Sequence, residues 1–260
     1  MFLGDYHTHS HYSDGRQTEK EIVAAARAKG LKEIAITDHG PLAAVIGVNS
    51  IQDFRKMRQK LKDLQENNED LLILLGAEAN IRDAEGNLDI PPEVVEELDI
   101  LIAGLHPYTL PGSVKDGWEI FGQNSLRHFS GKWRNKAIKA NTRACVQAIK
   151  NNPRLDILSH PGLFFQVDIE EVADACVKYG VMFEINCAHE YPPISDIMKA
   201  DRLGVDFIIN SDAHFPSSVG NLEYGKRIME KLKIDPQKVA NLRGRGGFKE
   251  WKKKMKTCIY

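Results

Sequence analysis

The chain contains 260 residues, 42% of them hydrophobic, and its formal net charge at pH 7 is −1. This apolar fraction suffices for one large core without disulfides, and the near-neutral charge excludes a strong overall attraction to nucleic acid or to anionic membranes. No signal-peptide pattern opens the chain, and no apolar run approaches the roughly 18 residues of a transmembrane helix, so we expect a cytoplasmic protein without a membrane partner. The four cysteines lack CxxC spacing, and we expect none to be functional.

Seven apolar runs predict β-strands, and stretches with apolar residues at helical spacing lie between them. The predicted strands cover residues 2–6, 33–37, 71–79, 99–105, 156–159, 181–185 and 206–210. The predicted helices cover residues 18–29, 50–66, 92–98, 137–150, 169–179, 193–203 and 222–232, and the first begins with the capping-box pair Thr18 and Glu21. This alternation is typical of an α/β protein whose parallel strands form a closed or nearly closed barrel.

Three segments depart from the alternation. Residues 81–90 contain a turn sequence and predict a hairpin on the rim of the barrel. Residues 107–136 mix polar, aromatic and basic side chains without a period, and we expect a long irregular loop that covers the site. Residues 243–260 carry five lysines around Trp251 and are predicted to be a basic C-terminal appendage to a single barrel domain of residues 1–242.

Potential metal ligands follow the predicted strands. His7 and His9 are one residue apart, so an extended backbone points both side chains the same way, and Asp212 and His214 repeat this spacing after the last strand. In a barrel the last strand lies beside the first, and all strand ends of one polarity meet at one rim. Imidazoles and carboxylates gathered in this way predict a cluster of divalent cations. The nine candidate ligands are His7, His9, Asp14, His39, Glu78, His106, His160, Asp212 and His214. His11 is out of register with the first pair and is interpreted as a bystander.

The motifs around these residues resemble one family in type and order. They are His7-Thr8-His9-Ser10 with Ser13-Asp14-Gly15, Ile36-Thr37-Asp38-His39-Gly40, Gly76-Ala77-Glu78-Ala79-Asn80, Gly104-Leu105-His106, Ser159-His160-Pro161-Gly162, Glu184-Ile185-Asn186 and Asn210-Ser211-Asp212-Ala213-His214. They resemble those of the PHP (polymerase and histidinol phosphatase) family of metal-dependent phosphoesterases, and most of all its stand-alone bacterial phosphatases.

The resemblance implies a distorted, TIM-like (β/α)7 barrel with three divalent metal ions, which could be Zn, Mn or Fe, at the C-terminal ends of the strands. It implies that one metal is held by His7, His9, Glu78 and Asp212, a second by Glu78, His106 and His160, and a third by Asp14, His39 and His214. The alternative for Asp14 is a turn-forming residue before Gly15.

A cluster of this kind suits the hydrolysis of a small phosphomonoester by a metal-activated hydroxide, with no protein nucleophile. His39 or His214 could assist the leaving group if either is free of metal. Asp5 and Asp38 are predicted to accept N–H bonds from ligating imidazoles, and Lys115, Arg127, Lys132 and Arg134 of the 107–136 segment are predicted to bind the substrate.

Two alternative functions stay open at this stage. The PHP resemblance also covers domains attached to DNA polymerases, so a nuclease or proofreading exonuclease is one, and the lysine-rich tail is the only feature in its favour. A non-catalytic metal-bearing scaffold is the other, although each ligand position is filled. The leading hypothesis is a metal-dependent phosphatase acting on a small phosphorylated substrate, with histidinol phosphate as one candidate by resemblance.

Overall fold

The structure, a computed structural model, describes residues 2–258 except for the side chains of residues 255–258. It contains one sheet of seven parallel strands whose order in the sheet follows their order in the chain. They are β1 (Gly4–Asp5), β2 (Glu33–Ile36), β3 (Leu72–Asn80), β4 (Ile100–Gly104), β5 (Ile157–Leu158), β6 (Met182–Asn186) and β7 (Phe207–Asn210). The strands are buried on both faces, as expected of parallel sheets covered by helices, and this explains why they stand out in the sequence as continuous apolar runs. The predicted barrel is confirmed.

Strands β7 and β1 close the barrel without a continuous ladder. Thr8 and Ala213 form an isolated parallel bridge just beyond the two strands. Below it, the buried side chain of Asn241 spans the gap, because its Nδ2 donates to Gly4 O at 3.0 Å and to Ile209 O at 2.6 Å. The barrel is therefore nearly closed, and the ends of β1 and β7 are held side by side.

Helices surround the barrel at nearly the predicted positions. They are α1 (Glu19–Ala28), α2 (Gln52–Glu66), α3 (Pro92–Val95), α4 (Val114–Asp116), α5 (Gln123–Leu126), α6 (Gly131–Asn151), α7 (Ile169–Tyr179), α8 (Ile194–Leu203), α9 (Glu223–Leu232) and α10 (Gly247–Cys258). The capping box of α1 forms as predicted, with the Thr18 hydroxyl accepting from Glu21 N and the Glu21 carboxylate accepting from Thr18 N. Within residues 2–258, no helix is both long and apolar enough to cross a membrane.

The prediction that residues 107–136 form an irregular loop is wrong. The segment contains α4, a π-helix (Gly117–Gly122), α5 and the first turns of α6. Ser113 and Ser130 cap α4 and α6, and the amide side chains of Asn124 and Asn141 pair with each other in the interior. These helical pieces are short and bury only single residues such as Ile120, so they leave no helical period in the sequence. The predicted hairpin at 81–90 is present as a turn with an Ile81–Leu88 bridge rather than two strands.

The C-terminal segment closes the barrel at the amino ends of the strands. Helix α10 places Phe248 and Trp251 against Tyr6, Ile100, Ile157 and other residues that fill the barrel interior. Lys252 Nζ donates to Asp156 at 2.9 Å and to Asp99 O at 3.0 Å, and both acceptors precede strands at their amino ends. The domain boundary at residue 242 stays a prediction, but α10 is packed against the barrel.

Candidate metal centre

Glu78 lies at the middle of a cluster formed by all nine predicted ligands. Its Oε2 is 3.2 Å from His7 Nε2, 3.6 Å from His9 Nε2 and 3.1 Å from His39 Nδ1. Its Oε1 faces a different pair, with His106 Nε2 at 3.3 Å and His160 Nε2 at 3.1 Å. The carboxylate of Glu78 therefore divides the imidazoles into two groups, one on each oxygen.

Asp212 and Asp14 complete the cluster. Asp212 Oδ1 is 3.6 Å from His7 Nε2 and 3.2 Å from His9 Nε2. Asp14 Oδ2 is 3.2 Å from His214 Nε2 and 3.8 Å from His39 Nε2, and its Oδ1 is 3.7 Å from His9 Nδ1. Of the two interpretations of Asp14, these distances favour a ligand, and they add His9 to the group that the resemblance implies for the third metal.

The close approach of the backbone after Asp14 requires a glycine at position 15. A Cβ at Gly15 would lie 2.1 Å from the carbonyl oxygen of His9, so a side chain cannot be accommodated there. Gly15 N also donates to Ser10 O at 3.0 Å, which folds the loop back onto the end of β1. This close approach carries Asp14 over the histidines.

Several buried nitrogens in the cluster have no hydrogen-bond partner among the described residues. They are His7 Nε2, His9 Nδ1, His9 Nε2 and His39 Nδ1. Buried polar atoms are almost always paired, and leaving one unpaired costs about 1–3 kcal/mol. His106 Nε2 and His160 Nε2 also face each other at only 3.3 Å. Lone pairs that converge on ionised carboxylates fit divalent cations, so the residues present suit the metal ions that the resemblance implies.

Neighbouring polar groups set the tautomers of two of these histidines. His7 Nδ1 donates to Glu184 Oε1 at 2.8 Å, and His106 Nδ1 donates to Asn80 Oδ1 at 2.8 Å. Asn80 is oriented by Asp89, whose carboxylate accepts from Asn80 N and Nδ2, both at 2.7 Å. With Nδ1 protonated in each ring, the Nε2 lone pair is directed at Glu78, which is the arrangement a metal ligand needs.

The roles of Glu184, Asn80 and Asp89 were not predicted from the sequence. Glu184 and Asn80 lie inside the quoted motifs, and this is the signal that could have found them. Asp89 gives no such signal, because it reaches Asn80 only through the turn at 81–90.

We expect the variant Glu184→Gln to fold and to lose about 10- to 100-fold in metal affinity. Glu184 Oε2 accepts from His160 N at 2.9 Å while Oε1 accepts from His7, so an amide group would face one donor with another donor. Chelator competition followed by elemental analysis measures the affinity. Glu170→Gln, on the exposed face of α7, is the matched control and should bind metal as the unmodified protein does. Equal retention by both variants would contradict this role.

The predicted roles of Asp5 and Asp38 are wrong. Asp5 accepts from Ser211 N at 3.0 Å and Gly220 N at 2.9 Å, and Asp38 accepts from Ser10 N at 2.7 Å. Within the described residues neither carboxylate bonds an imidazole. Both are fully buried, and backbone N–H groups at the turns satisfy them instead. They therefore fix the turns that carry Asp212 and Asp14, not the imidazole rings.

Charge in the cluster favours cation binding. Burial would raise the pKa values of Glu78 and Asp212, but the neighbouring histidines, His7 foremost, hold both well below their usual range. Burial, helped by His9 and His106 and opposed by Glu78, lowers the pKa of His39 to about 3. The carboxylates are thus ionised and His39 is neutral at pH 7, which are the protonation states that bind metal. Burial would lower the pKa of His7, but the carboxylates of Glu78, Glu184 and Asp212 raise it well above its usual value, so a cation must displace a proton from His7.

Metal binding at the Asp14 end should depend on pH. Burial disfavours protonated His214, but the hydrogen bond to Asp14 and the charges of Asp212 and Asp14 outweigh it and raise the pKa of His214 to about 9. A cation there must displace this proton, so we expect its affinity to rise about tenfold per pH unit up to about pH 9 and then level off. Titration of the metal-free protein with Mn²⁺ across this range measures the slope. In His214→Gln the slope should become shallower but should not vanish, because the pKa values of His7 and His160 are also raised and their protons must still be displaced. An unchanged slope would contradict the assignment.

A cavity of about 470 Å³ opens onto the cluster. Its wall combines six of the nine ligand candidates with Ile46, Tyr108, Phe164, His189 and Phe215. His189, which was not predicted, has Nε2 3.5 Å from Asp212 Oδ2. Tyr108 stacks on His106 with ring centroids 5.1 Å apart, and Phe164 meets His160 edge to face at 5.6 Å. The organic part of a substrate would meet a largely apolar surface here.

None of the four predicted substrate-binding cations lies in the described wall of this cavity. Lys115 is three-quarters exposed and lies 3.8 Å from Glu119, and Lys132 is exposed. Arg127 and Arg134 line a separate depression. The helical form of the 107–136 segment explains this, because it turns these side chains away from the metal cluster.

Two ligand candidates hold unusual backbone conformations. His160 has φ of 27° and Asp212 has φ of 52°, although neither is glycine. Such strained residues cluster at functional sites, where the surrounding structure holds them in place.

Comparison with known proteins places this site in a family. The profile of the PHP domain matches residues 5–211. A probable phosphatase of Thermoanaerobacter sp. (strain X514) is 34% identical over 266 residues, covering 98% of this chain and 96% of the relative. A probable phosphatase of Caldicellulosiruptor bescii is 31% identical, covering 93% of this chain and 92% of the relative.

Solved structures support the fold. The histidinol phosphate phosphatase from Lactococcus lactis, complexed with zinc, L-histidinol and phosphate, superposes with a TM-score of 0.63 at 18% identity, covering 90% of this chain and 94% of that one. The structure of a candidate histidinol phosphatase from Listeria monocytogenes gives the same TM-score at 19% identity, covering 84% of this chain and 97% of that one. The barrel, the ordered motifs and the full-length relatives agree, and the chain belongs to the PHP domain family, among its phosphatase-type enzymes.

Proposed function

We propose that the protein hydrolyses a small phosphomonoester at a trinuclear metal site. The observation that carries the proposal is Glu78, whose two carboxylate oxygens face two separate groups of imidazoles with unpaired buried nitrogens. A carboxylate in that position can bridge two cations. A third group, around Asp14, lies on the far side of His9 and His39.

The residues divide naturally among three cations. His7, His9 and Asp212 with Glu78 would hold the first, and His106 and His160 with Glu78 the second. Asp14, His39 and His214 would hold the third, with His9 Nδ1 in reach of the same position. When bound, such ions would activate a water molecule and neutralise charge on the phosphoryl oxygens. The donor set suits Zn, Mn or Fe(II).

The protein's own side chains orient the ligands and shape the cavity. Glu184 and the pair Asn80–Asp89 hold two imidazoles with Nε2 directed inward. His39 and His214 both face the metal cluster, so we assign them as ligands rather than as proton donors to the leaving group. Tyr108 and Phe164 would contact the organic part of the ester.

A small ester fits the cavity. A volume of about 470 Å³ accommodates a molecule of metabolite size. Histidinol phosphate is one candidate, since the Lactococcus lactis relative in fold is named for that activity.

The nuclease alternative loses its supporting feature. The basic tail belongs to α10, which lies at the amino ends of the strands, whereas the metal cluster lies at their carboxyl ends. The lysines of α10 whose side chains the structure describes therefore lie at the end of the barrel away from the candidate ligands. A scaffold without catalysis is also disfavoured, because every ligand position is filled and six of the nine candidate ligands line an open cavity.

The test is phosphate release from a panel of phosphomonoesters. Protein purified without oxygen would be loaded with Zn²⁺, Mn²⁺ or Fe²⁺ and its metal content measured on the same sample. We expect hydrolysis of at least one small ester and about three metal ions per chain at saturation. Bound metal without hydrolysis of any ester would refute the proposal.

A further inference from the structure

A second cavity, of about 540 Å³, lies next to the metal centre. The two cavities share Phe164, whose ring packs against His160 on the metal side. The wall of the second cavity is otherwise formed by the turn before α6 and by residues after β5. Its lining residues are Arg127, His128, Ser130, Gly131, Arg134, Leu163, Phe164 and Gln166. We call it the basic cavity.

The positive charge of the basic cavity is not neutralised by the protein. Two arginines line it, and within the described residues no Asp or Glu does. The groove on the other face of α6 differs, because Lys139 and Arg143 there share the wall with Asp168 and Glu171. The positive end of the α6 dipole adds to the same potential, since Gly131 begins that helix.

The two arginines bond only neutral acceptors. Arg127 Nη1 donates to Asn124 O at 3.2 Å, and Arg134 Nε donates to Gln166 Oε1 at 3.1 Å. In the part of the chain that the structure describes, neither has a carboxylate partner, whereas six other arginines do, namely Arg27, Arg55, Arg58, Arg143, Arg154 and Arg227. Each guanidinium keeps several N–H donors for a ligand.

We propose that the basic cavity binds a second anionic group of the substrate, so that the preferred phosphomonoester also carries a distal carboxylate or phosphate. This rests on the proposed function, because it takes the phosphoryl group to lie at the metals. The ester then extends from the metal cluster past Phe164, and its far end is held by Arg127 and Arg134. Arginine suits this role because its planar fork matches carboxylate and phosphate oxygens.

The experiment compares matched esters. A series of ω-carboxyalkyl phosphates of increasing length is assayed against the corresponding carboxamides, which keep the shape and lose the charge. Alkane bisphosphates of the same lengths distinguish a distal phosphate from a carboxylate. At the chain length that is hydrolysed best, we expect kcat/KM for the ω-carboxyalkyl phosphate to exceed that for its carboxamide about 10- to 100-fold.

Variants locate the effect. In the double variant Arg127→Gln, Arg134→Gln the preference for the distal charge should disappear, while the circular dichroism spectrum and the metal content should match those of the unmodified protein. Arg143→Gln, on the same helix but outside both cavities, should keep the preference. Equal kcat/KM values for the carboxylate and carboxamide esters at every length would overturn the inference. A preference for the carboxylate ester that survives in the double variant would also overturn it.

A binding measurement separates this inference from the proposed function. The matching phosphonates, which have no ester bond to hydrolyse, are titrated into the metal-loaded protein by calorimetry. If no ester is hydrolysed, the proposed function fails, yet a charge-dependent phosphonate affinity that the double Gln variant loses still supports the subsite. Equal affinity for charged and neutral phosphonates excludes it.

Discussion

The variant Glu78→Gln should lose phosphatase activity by at least about 10³-fold, equivalent to about 4 kcal/mol of transition-state stabilisation. Glu78 is 1% exposed, and five imidazoles approach its two oxygens. An amide keeps the size of the side chain but has one oxygen and no charge, so it cannot bridge two cations. Two of the three proposed metal positions lose a ligand at once, and we expect metal content at limiting metal to fall with activity.

Steady-state kinetics and elemental analysis of the same sample measure both effects. The Glu170→Gln control removes one exposed carboxylate from α7 and should change neither. The thermal transition of metal-free Glu78→Gln separates a binding defect from a folding defect. Because the metal-free cluster holds Glu78 ionised among histidines, some change in that transition is expected, but the variant should still fold. Near-normal activity in Glu78→Gln would contradict the bridging role.

The sequence was sufficient to predict the barrel and to gather the nine ligand candidates, for one physical reason. Eight candidates follow a buried parallel strand and Glu78 lies near the carboxyl end of β3. The carboxyl ends of parallel strands meet at one rim whatever the lengths of the connections. The two-residue spacing of His7 and His9 correctly predicted that both rings point to the same side, where both approach Asp212 Oδ1. The same argument does not apply to Asp212 and His214, because Asp212 is not extended and has φ of 52°. Their assignment to particular metals stays a proposal.

Features that depend on turns could not be predicted in the same way. Asp5 has the spacing to point with His7, but its carboxylate is taken by the backbone N–H of Ser211 across the barrel seam. Asp89 orients His106 through Asn80, a contact made between residues nine positions apart across a turn. Which residues become such hydrogen-bond partners depends on the path of the loops in space. The order of residue types along the sequence does not show that path.

The packing of the C-terminal helix against the barrel was not predicted, because its lysines indicated a solvated appendage. Phe248, Trp251 and Lys252 are spaced by three and four residues, so they share one face of α10, and that face packs into the barrel. Lys249 and Lys253 lie on the exposed face. The lysines that make the segment basic lie on the solvent-exposed face of the helix, and the apolar face packs against the core.

Trp251→Ala should therefore reduce the free energy of unfolding by about 3–5 kcal/mol, a large part of the stability of a typical domain. Trp251 is 5% exposed, packs beside Phe248 with ring centroids 6.1 Å apart and donates from Nε1 to Asp206 at 3.3 Å. Removing the indole leaves a cavity at the base of the barrel and leaves Asp206 without this donor. Urea denaturation followed by circular dichroism measures the loss.

Trp118→Ala is the matched control, because Trp118 is 51% exposed and its loss should change the unfolding free energy much less. The metal cluster lies at the other end of the strands, so Trp251→Ala that remains folded should bind metal and substrate with unchanged affinity. A defect in activity at temperatures where the variant is fully folded would mean that the base of the barrel and the metal centre are coupled. Equal stability losses in the two tryptophan variants would instead show that α10 contributes little to the core. The expected result is a large loss of stability with the chemistry intact, because Phe248 and Trp251 of α10 complete the core at the amino ends of the strands, away from the candidate ligands.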